Sequence, residues 1–225
     1  MVFRGLEGRA SYADFGVSTI LCEGRHVLGY CRRRFPELPR VLVPVCIDHD
    51  RFQFQQQKRL QIAFAPRKRP MEAAFIQDLF RAENPEWRTI PWIQMSDIPE
   101  SKVAQVLGDS AVYLSLSRFE SVGLSILEAF ASGCASAGFT GFGAREFVTD
   151  ANGFWAAEDD CLDAATQLVR AVQLVTDGGQ PYSDLLESAH LSARYYSRQR
   201  LAKRIVEFWQ GFLEGDGTSD SAGDQ

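Results

Sequence analysis

The feature that most constrains the fold of this chain is an alternation, between residues 40 and 176, of short apolar runs with stretches of helical periodicity. The runs are rich in β-branched residues, and such alternation is typical of parallel strands with helices on the faces of their sheet. We therefore predict an α/β fold: a single Rossmann-like, doubly wound parallel sheet followed by C-terminal helices. The predicted strands cover residues 17–22, 41–47, 60–65, 89–93, 111–116 and 134–139.

Capping residues mark several of the predicted helix ends. Asp97 and Glu100 have the spacing of a capping box, and Asp160 precedes a long amphipathic stretch as an N-cap would. Gly133 and Gly178 stand where glycines commonly end helices. The predicted helices cover residues 24–35, 71–82, 97–108, 123–132, 144–149 and 160–176, and residues 183–199 and 201–213 form one bent helix or two.

Three parts of the chain differ in pattern. Residues 40–213 form the predicted sheet domain. Residues 1–39 fit that pattern less well, and we interpret them as a remnant of, or linker to, a missing N-terminal domain. Residues 214–225 contain almost nothing apolar and cannot repay the entropy of ordering, so we predict a disordered tail.

Composition excludes several classes of function. The net charge of -5 argues against wholesale binding of nucleic acid, which requires a basic surface. The five cysteines lack C-x-x-C spacing and the three histidines are scattered, so no metal site is predicted. Because no stretch resembles a signal peptide or a membrane span, we predict a cytoplasmic protein.

The most informative segment covers residues 116–133, LSRFESVGLSILEAFASG. It predicts a buried strand, then a loop with Gly123, then a helix. Loops at the carboxyl ends of parallel strands carry ligand sites in open α/β sheets. The free N–H groups at a helix N-terminus bind anions, so the start of this helix is a predicted phosphate seat.

Two carboxylates flank this predicted seat. Glu120 lies in the loop and Glu128 in the helix, with seven residues between them. Because a carboxylate repels phosphate, we assign both to hydrogen bonds from sugar hydroxyls. The alternative is that Glu120 is a solvated loop residue and Glu128 a surface residue of the helix, and the pattern alone leaves both open.

The segment resembles the E-x7-E motif of family-4 retaining glycosyltransferases, S-x-x-E-G-F-G-L-x-x-x-E-A-M-A-x-G. This chain departs from it at Ser121 in place of Gly, Val122 in place of Phe and Phe130 in place of Met. Further segments resemble the family in the same order, at residues 43–52, 138–146 and 152–155. The resemblance covers about residues 40–213 and implies the C-terminal, donor-binding domain of a GT-B fold (glycosyl transferases group 1).

The resemblance also implies a role for each residue of the motif. It places Glu120 at the donor sugar, as a catalytic residue, and Glu128 at the ribose hydroxyls. Backbone N–H groups around the start of the helix would hold the diphosphate or the sugar. The donor-binding residues implied beside Glu128 are Ser121, Val122, Gly123 and Leu124.

Basic residues follow the predicted strand at 60–65, where the family carries an Arg and a Lys for the diphosphate. Arg67 is the better match for the first, and Lys68 or Arg69 supplies the second, although the family's spacing is not kept. Arg67 and Lys68 are assigned as catalytic residues with Glu120, and Arg69 is assigned to donor binding. The alternative for this triplet is a solvated loop. Glu146 ends the second glycine-rich turn, where it either orients that turn or reaches the sugar, and it is assigned to the donor. The resemblance implies no cofactor and no obligatory metal.

The implied function is transfer of a sugar from a nucleotide-diphosphate sugar to a glycan or lipid-linked acceptor, with retention. A GT-B enzyme needs a second domain for the acceptor, so we expect a partner domain or chain. One alternative is a non-catalytic nucleotide-sugar-binding module, and another is a nucleotide-sugar epimerase of GT-B architecture. Arg32, Arg33 and Arg34 allow a peripheral membrane contact, although a solvated helix face explains them as well.

Overall fold

The computed structural model describes residues 11–214 of the chain, so residues 1–10 of the predicted N-terminal segment and 215–225 of the predicted tail lie outside it. It contains one five-stranded and one two-stranded parallel sheet. The strands are β1 (Ile20–Cys22), β2 (Arg40–Leu42), β3 (Arg59–Phe64), β4 (Trp92–Gln94), β5 (Ser110–Ser117), β6 (Ala135–Thr140) and β7 (Phe154–Ala156). The helices are α1 (Arg25–Arg34), α2 (Pro70–Glu83), α3 (Glu100–Asp109), α4 (Leu124–Ser132), α5 (Cys161–Asp177), α6 (Gly179–Tyr195) and α7 (Arg198–Leu213).

The five-stranded sheet has the order β4-β3-β5-β6-β7, and β5 at its centre is buried along its whole length. Helices α2 and α5 cover one face, and α3, α4 and α6 cover the other. A strand covered on both faces needs an almost continuous apolar run, which is the pattern at residues 111–116. The predicted doubly wound α/β fold with C-terminal helices is therefore confirmed.

The structure differs from the predictions at several element ends. Of the predicted strand 41–47, only the first two residues are regular, as the end of β2 (Arg40–Leu42), since Pro44 has no N–H to donate to a ladder. The helix predicted from residue 97 begins at Glu100, because Asp97 has a left-handed φ of 53° and cannot act as its cap. Strand β7 was not predicted, and the helix predicted at 144–149 is a 3-10 turn, Gly143–Glu146.

The N-terminal residues form a small βαβ unit in which β1 and β2 are parallel neighbours. Its apolar core is separate from that of the main sheet. The basic triplet considered for lipid contact forms the last turn of α1, where positive charge also stabilises the helix end. The residues of this core are Cys22, Val27, Cys31, Phe35 and Leu38.

The predicted N-cap at Asp160 is present, because its side chain accepts hydrogen bonds from the N–H groups of Leu162 and Asp163. Replacing Asp160 by alanine is expected to lower the free energy of unfolding by about 1 kcal/mol, since two helix N–H groups lose their acceptor. Urea denaturation measures the loss. Asp177, at the other end of α5, is the control: its replacement by alanine should cost clearly less.

Candidate functional site

A cavity of about 660 Å³ opens at the carboxyl ends of β3 and β5. Ligands of open α/β sheets bind at this edge, because loops from neighbouring strands meet there. The predicted motif supplies most of the wall. The lining residues are Glu23, Val45, Ala65, Arg67, Lys68, Tyr113, Leu116, Ser117, Phe119, Glu120, Ser121, Val122, Gly123, Leu124, Ser125 and Glu128.

The start of α4 forms one wall of the cavity. Gly123 precedes the helix with a left-handed φ of 92°, which a glycine adopts without strain, and it has no side chain to cap the helix. Its neighbours Ser121, Val122 and Leu124 line the same wall. The N–H groups of the first turn, which no helix satisfies internally, are thus presented where an anion can accept from them.

Lys68 and Glu120 form an ion pair in the cavity, with 2.5 Å between Nζ and Oε1. Lys68 ends a 3-10 turn directly after β3, and Glu120 follows β5, so the pairing of these two strands brings them together. The side chains are 33% and 18% exposed, which leaves both within reach of a ligand. Arg67 also lines the cavity, is exposed, and makes no ion pair with any residue between 11 and 214.

Glu128 is mostly enclosed at the inner end of the cavity. Burial, and after it the negative charges of Glu100 and Glu120, raise the pKa of its carboxyl to about 7. Tyr113 is fully buried beside it, so the pKa of its phenol is also raised, while a hydrogen bond with the Ser125 side chain opposes this. The site therefore holds a carboxyl that can change its charge near neutral pH.

The N-terminal βαβ unit packs against the loop before α4. The Ser121 hydroxyl donates a 2.8 Å hydrogen bond to Oε2 of Glu23, which lies between β1 and α1. Gly24 approaches the loop so closely that a Cβ on it would lie 2.7 Å from the Ser121 carbonyl oxygen. One wall of the cavity thus comes from residues outside the predicted domain 40–213.

Arg69, assigned above to the donor, lies away from the cavity and is completely buried. Its guanidinium forms ion pairs with Glu158 and Asp159 and donates from Nε to the Ser117 carbonyl oxygen at 3.0 Å. It also lies 4.3 Å from the ring centroid of Phe139. With its donors used inside the protein, Arg69 holds the end of β5 in place and does not face a ligand.

Glu146, also assigned to the donor, does not line the cavity either. One carboxylate oxygen accepts from the backbone N–H of Arg25 at 2.8 Å, and the other accepts from the Tyr196 hydroxyl at 2.9 Å. Glu146 thus joins the start of α1 to the end of α6. The structure places the remaining assigned residues, from both the motif and the basic turn, around one cavity.

The sequence reasoning missed some cavity residues, among them Glu23, Tyr113 and Phe119. Glu23 follows a parallel strand, so the rule that sites form at strand carboxyl ends could have found it. Phe119 directly precedes Glu120 in the chain, and only this position next to a predicted site residue could have indicated that it lines the cavity. Tyr113 lies within the buried strand β5, so the sequence pattern indicates a core residue and gives no sign of a place in the cavity wall.

Neither a metal cluster nor a membrane span is found in the described chain. Across residues 11–214, no group of three or more His, Cys, Asp or Glu side chains is arranged to hold a metal ion. The helices in this range are also too short or too polar to cross a membrane.

The stability of the protein should fall as Glu128 ionises. Its folded-state pKa of about 7 lies above its unfolded value, so the folded state keeps the proton to higher pH and loses stability as pH rises. We expect the thermal midpoint of the wild type to fall relative to that of Glu128→Gln between about pH 5 and about pH 8. Glu187→Gln, on exposed α6 surface, is the control. If the thermal midpoints of the wild type and Glu128→Gln differed by the same amount at both pH values, that result would contradict the raised pKa of Glu128.

The known sequences that this chain resembles are those of glycosyltransferases. The model of the family "Glycosyl transferases group 1" matches residues 58–174. An alpha-1,6-glucosyltransferase of Actinobacillus pleuropneumoniae serotype 7 (strain AP76) is 28% identical over 141 residues, which are 61% of this chain and 43% of that protein.

Solved structures share the fold at low identity. TarM of S. aureus, as a mutant in complex with Fondaparinux, alpha-GlcNAc-glycerol and UDP, has a TM-score of 0.73 at 13% identity, over 87% of this chain and 44% of that one. The GtfA/B complex has a TM-score of 0.58 at 16% identity, over 88% of this chain and 46% of that one. The chain thus spans less than half the length of each of these relatives.

Proposed function

This chain belongs to the glycosyl transferases group 1 family, and we propose that it is the donor-binding half of an enzyme that transfers a sugar from a nucleotide-diphosphate sugar. The acceptor we propose is a glycan or a lipid-linked molecule, and the transfer retains the anomeric configuration. The observation that carries the proposal is the Lys68–Glu120 pair beside the N-terminus of α4. It brings a cation, a carboxylate and backbone N–H donors to one cavity.

The diphosphate is proposed to bind between the basic turn and the start of α4. Its oxygens accept charge-assisted hydrogen bonds from Lys68 and Arg67 and accept from the N–H groups of the first helical turn. Arg67 is exposed and is not held by an ion pair in the described chain, so it can turn toward a ligand. TarM was solved with UDP, which supports a nucleoside diphosphate as the ligand class.

Glu128 is proposed to bind the ribose. Hydroxyl groups donate to an ionised carboxylate, and these hydrogen bonds favour the charged form of a buried carboxyl. Because burial raises the pKa of Glu128 to about 7, ribose binding should release its proton near neutral pH. Donor binding and the charge of Glu128 are then linked.

In the proposed reaction, negative charge grows on the departing diphosphate. Once the donor is bound, Lys68, Arg67 and the N-terminus of α4 already face the diphosphate and stabilise that charge, and such preorganised electrostatics is the main source of catalysis in many active sites. Glu120 accepts hydrogen bonds from the donor sugar. The acceptor hydroxyl attacks from the face that the diphosphate leaves, and a phosphate oxygen of the leaving group takes its proton. This route needs no metal or other cofactor.

A subunit that needs a partner chain is the alternative that an observation favours. Helix α7 buries none of its residues and exposes Trp209, Phe212 and Leu213. Within residues 11–214 the β1–β2 sheet has two strands, so a further strand can pair with its edges. We expect an α/β domain of a partner chain to pack on both surfaces. The solved structure of the GtfA/B complex supports assembly with a partner chain. Without such a partner the chain would be a nucleotide-sugar-binding module.

Product analysis tests the proposed function. The chain is incubated with UDP-, GDP- and dTDP-sugars, alone and with a neighbouring-gene α/β domain if one exists, and the products are separated. Release of the nucleoside diphosphate with transfer or hydrolysis, lost in Glu128→Ala, is the expected result. Binding without turnover would favour the module, and a changed donor sugar without acceptor would favour the epimerase. Absence of both binding and turnover for all donors would refute the proposal.

A further inference from the structure

Two side chains that line the cavity, Glu23 and Phe119, have no part in the donor seat proposed above. Glu23 lies between β1 and α1, and Phe119 immediately precedes Glu120. Both are exposed, so they stand where the cavity opens to solvent. We propose that Glu23 and Phe119 form a subsite for the acceptor sugar, an inference that rests on the proposed function for its catalytic meaning.

The Phe119 ring belongs to an aromatic cluster that three chain segments build. The Phe119 and Phe142 rings form a T-shaped contact with 5.1 Å between the centroids and 75° between the planes. His26, from α1, stacks on Phe142 at 5.0 Å and meets Phe119 edge-on at 6.4 Å. The cluster holds Phe119 in place while 52% of that residue stays exposed. An oriented apolar surface at the rim of a polar cavity is typical of a ligand contact.

The Glu23 carboxylate is oriented by the loop beneath it. The Ser121 hydroxyl donates to Oε2 at 2.8 Å, while no residue between 11 and 214 donates to Oε1. Oε1 is thus an acceptor with a fixed direction. Since a carboxylate repels phosphate, this end of the cavity favours a neutral ligand with hydroxyl donors over a nucleotide.

A sugar ring fits this pair of groups. A pyranose has an apolar face of C–H groups, which packs on an aromatic ring, and an edge of hydroxyls, which donate to a carboxylate. The order of residues separates this subsite from the donor. Phe119 lies on the Glu120 side, where the donor sugar is proposed, and Glu128 with the ribose lies one turn into α4. Because Phe119 adjoins Glu120 in the chain and lines the same cavity, a sugar ring on Phe119 is assigned to the position next to the donor sugar, which the acceptor occupies.

Saturation-transfer NMR with the full chain tests this subsite. Aromatic protons of the protein are irradiated, and transfer is recorded to methyl α-glucoside, methyl β-galactoside and methyl β-N-acetylglucosaminide. At least one glycoside should receive saturation on its ring protons. Binding should weaken about two- to tenfold in Phe119→Ala and in Glu23→Gln, the loss expected for one aromatic or one hydrogen-bond contact.

Matched variants separate a lost contact from a lost fold. Phe75 is 49% exposed on α2 and does not line the cavity, so Phe75→Ala should bind the glycoside as the wild type does. Glu37→Gln is the control for Glu23→Gln, because Glu37 also accepts from a serine hydroxyl, that of Ser11. Nucleoside diphosphate affinity, measured with UDP, GDP and dTDP, should change less than twofold in all four variants.

Three results would overturn the inference: no transfer to any glycoside, transfer that Phe119→Ala and Glu23→Gln leave unchanged, or nucleotide affinity that these variants lower as Glu128→Ala does. A failure of the proposed function would give a different result from a failure of this inference. If no nucleotide binds the wild type but glycoside transfer depends on Phe119 and Glu23, the sugar subsite stands and the donor seat does not.

Discussion

Replacing Arg69 by leucine is expected to lower the free energy of unfolding by about 2–4 kcal/mol. The arginine is fully buried, and its loss leaves Glu158 without its closest cation and removes the Nε donor to the Ser117 carbonyl. The expected loss is below that of a fully enclosed pair, because the side chain of Asp159 is 67% exposed and water can replace part of its pairing. Urea denaturation at neutral pH measures the change.

The matched control is Arg145→Leu. Arg145 is also an arginine paired with Glu158, at 3.8 Å, but its side chain is 55% exposed. An exposed pair contributes little, so this variant should lose less than about 1 kcal/mol. If Arg69→Leu cost no more than Arg145→Leu, the buried network would not hold the end of β5.

Replacing Lys68 by alanine is expected to weaken the binding of a nucleoside diphosphate by about 10- to 100-fold. The change removes a charge-assisted donor to the phosphate oxygens. It also leaves Glu120 without the Nζ that lies 2.5 Å from its Oε1, so an unneutralised carboxylate faces the ligand. Titration calorimetry with UDP, GDP and dTDP gives the affinities.

Two further variants make this result specific. Lys102→Ala removes a lysine of α3 that bonds to Gln105 outside the cavity, and it should leave nucleotide affinity unchanged. Glu120→Gln removes a negative charge beside the phosphates, so it should keep or raise nucleotide affinity while lowering transfer. A Lys68→Ala variant that binds as tightly as the wild type would remove Lys68 from the diphosphate seat.

The sheet and most of the cavity wall could be predicted from the sequence because local pattern determines them. The apolar run at residues 111–116 has to be a strand buried on both faces, and Gly123 has to end the loop that follows it. The rule that parallel strands present ligands at their carboxyl ends then places Glu120 and Lys68 together. The one long-range fact that the Lys68–Glu120 pair also needs is the strand order, which sets β3 beside β5.

The basic turn after β3 shows where local pattern stops being informative. Arg67, Lys68 and Arg69 are adjacent in sequence and all cationic, yet Arg67 is exposed, Lys68 lies in the cavity, and Arg69 is buried. The directions of Lys68 and Arg69 depend on the 3-10 turn and on distant carboxylates, 52 positions away for Lys68 and 89 and 90 positions away for Arg69. Nothing in the triplet itself distinguishes a ligand-binding arginine from a structural one.

The partners of Glu146 and Glu23 are equally distant in sequence. Glu146 bonds to Arg25 across 121 positions, and Ser121 bonds to Glu23 across 98. Both contacts depend on how the N-terminal βαβ unit packs on the loop before α4. The predicted strand at residues 17–22 ends beside Glu23, but the sequence does not indicate that this strand packs next to the loop before α4.

The most direct test of the central claim, that this cavity binds a nucleoside diphosphate, is calorimetric titration of the chain with UDP, GDP and dTDP. We predict that at least one binds the wild type and Glu187→Ala alike, and binds Glu128→Ala about 10- to 100-fold more weakly, since a buried ribose contact is lost. Binding of none of the three, or equal binding by Glu128→Ala and the wild type, would contradict the account.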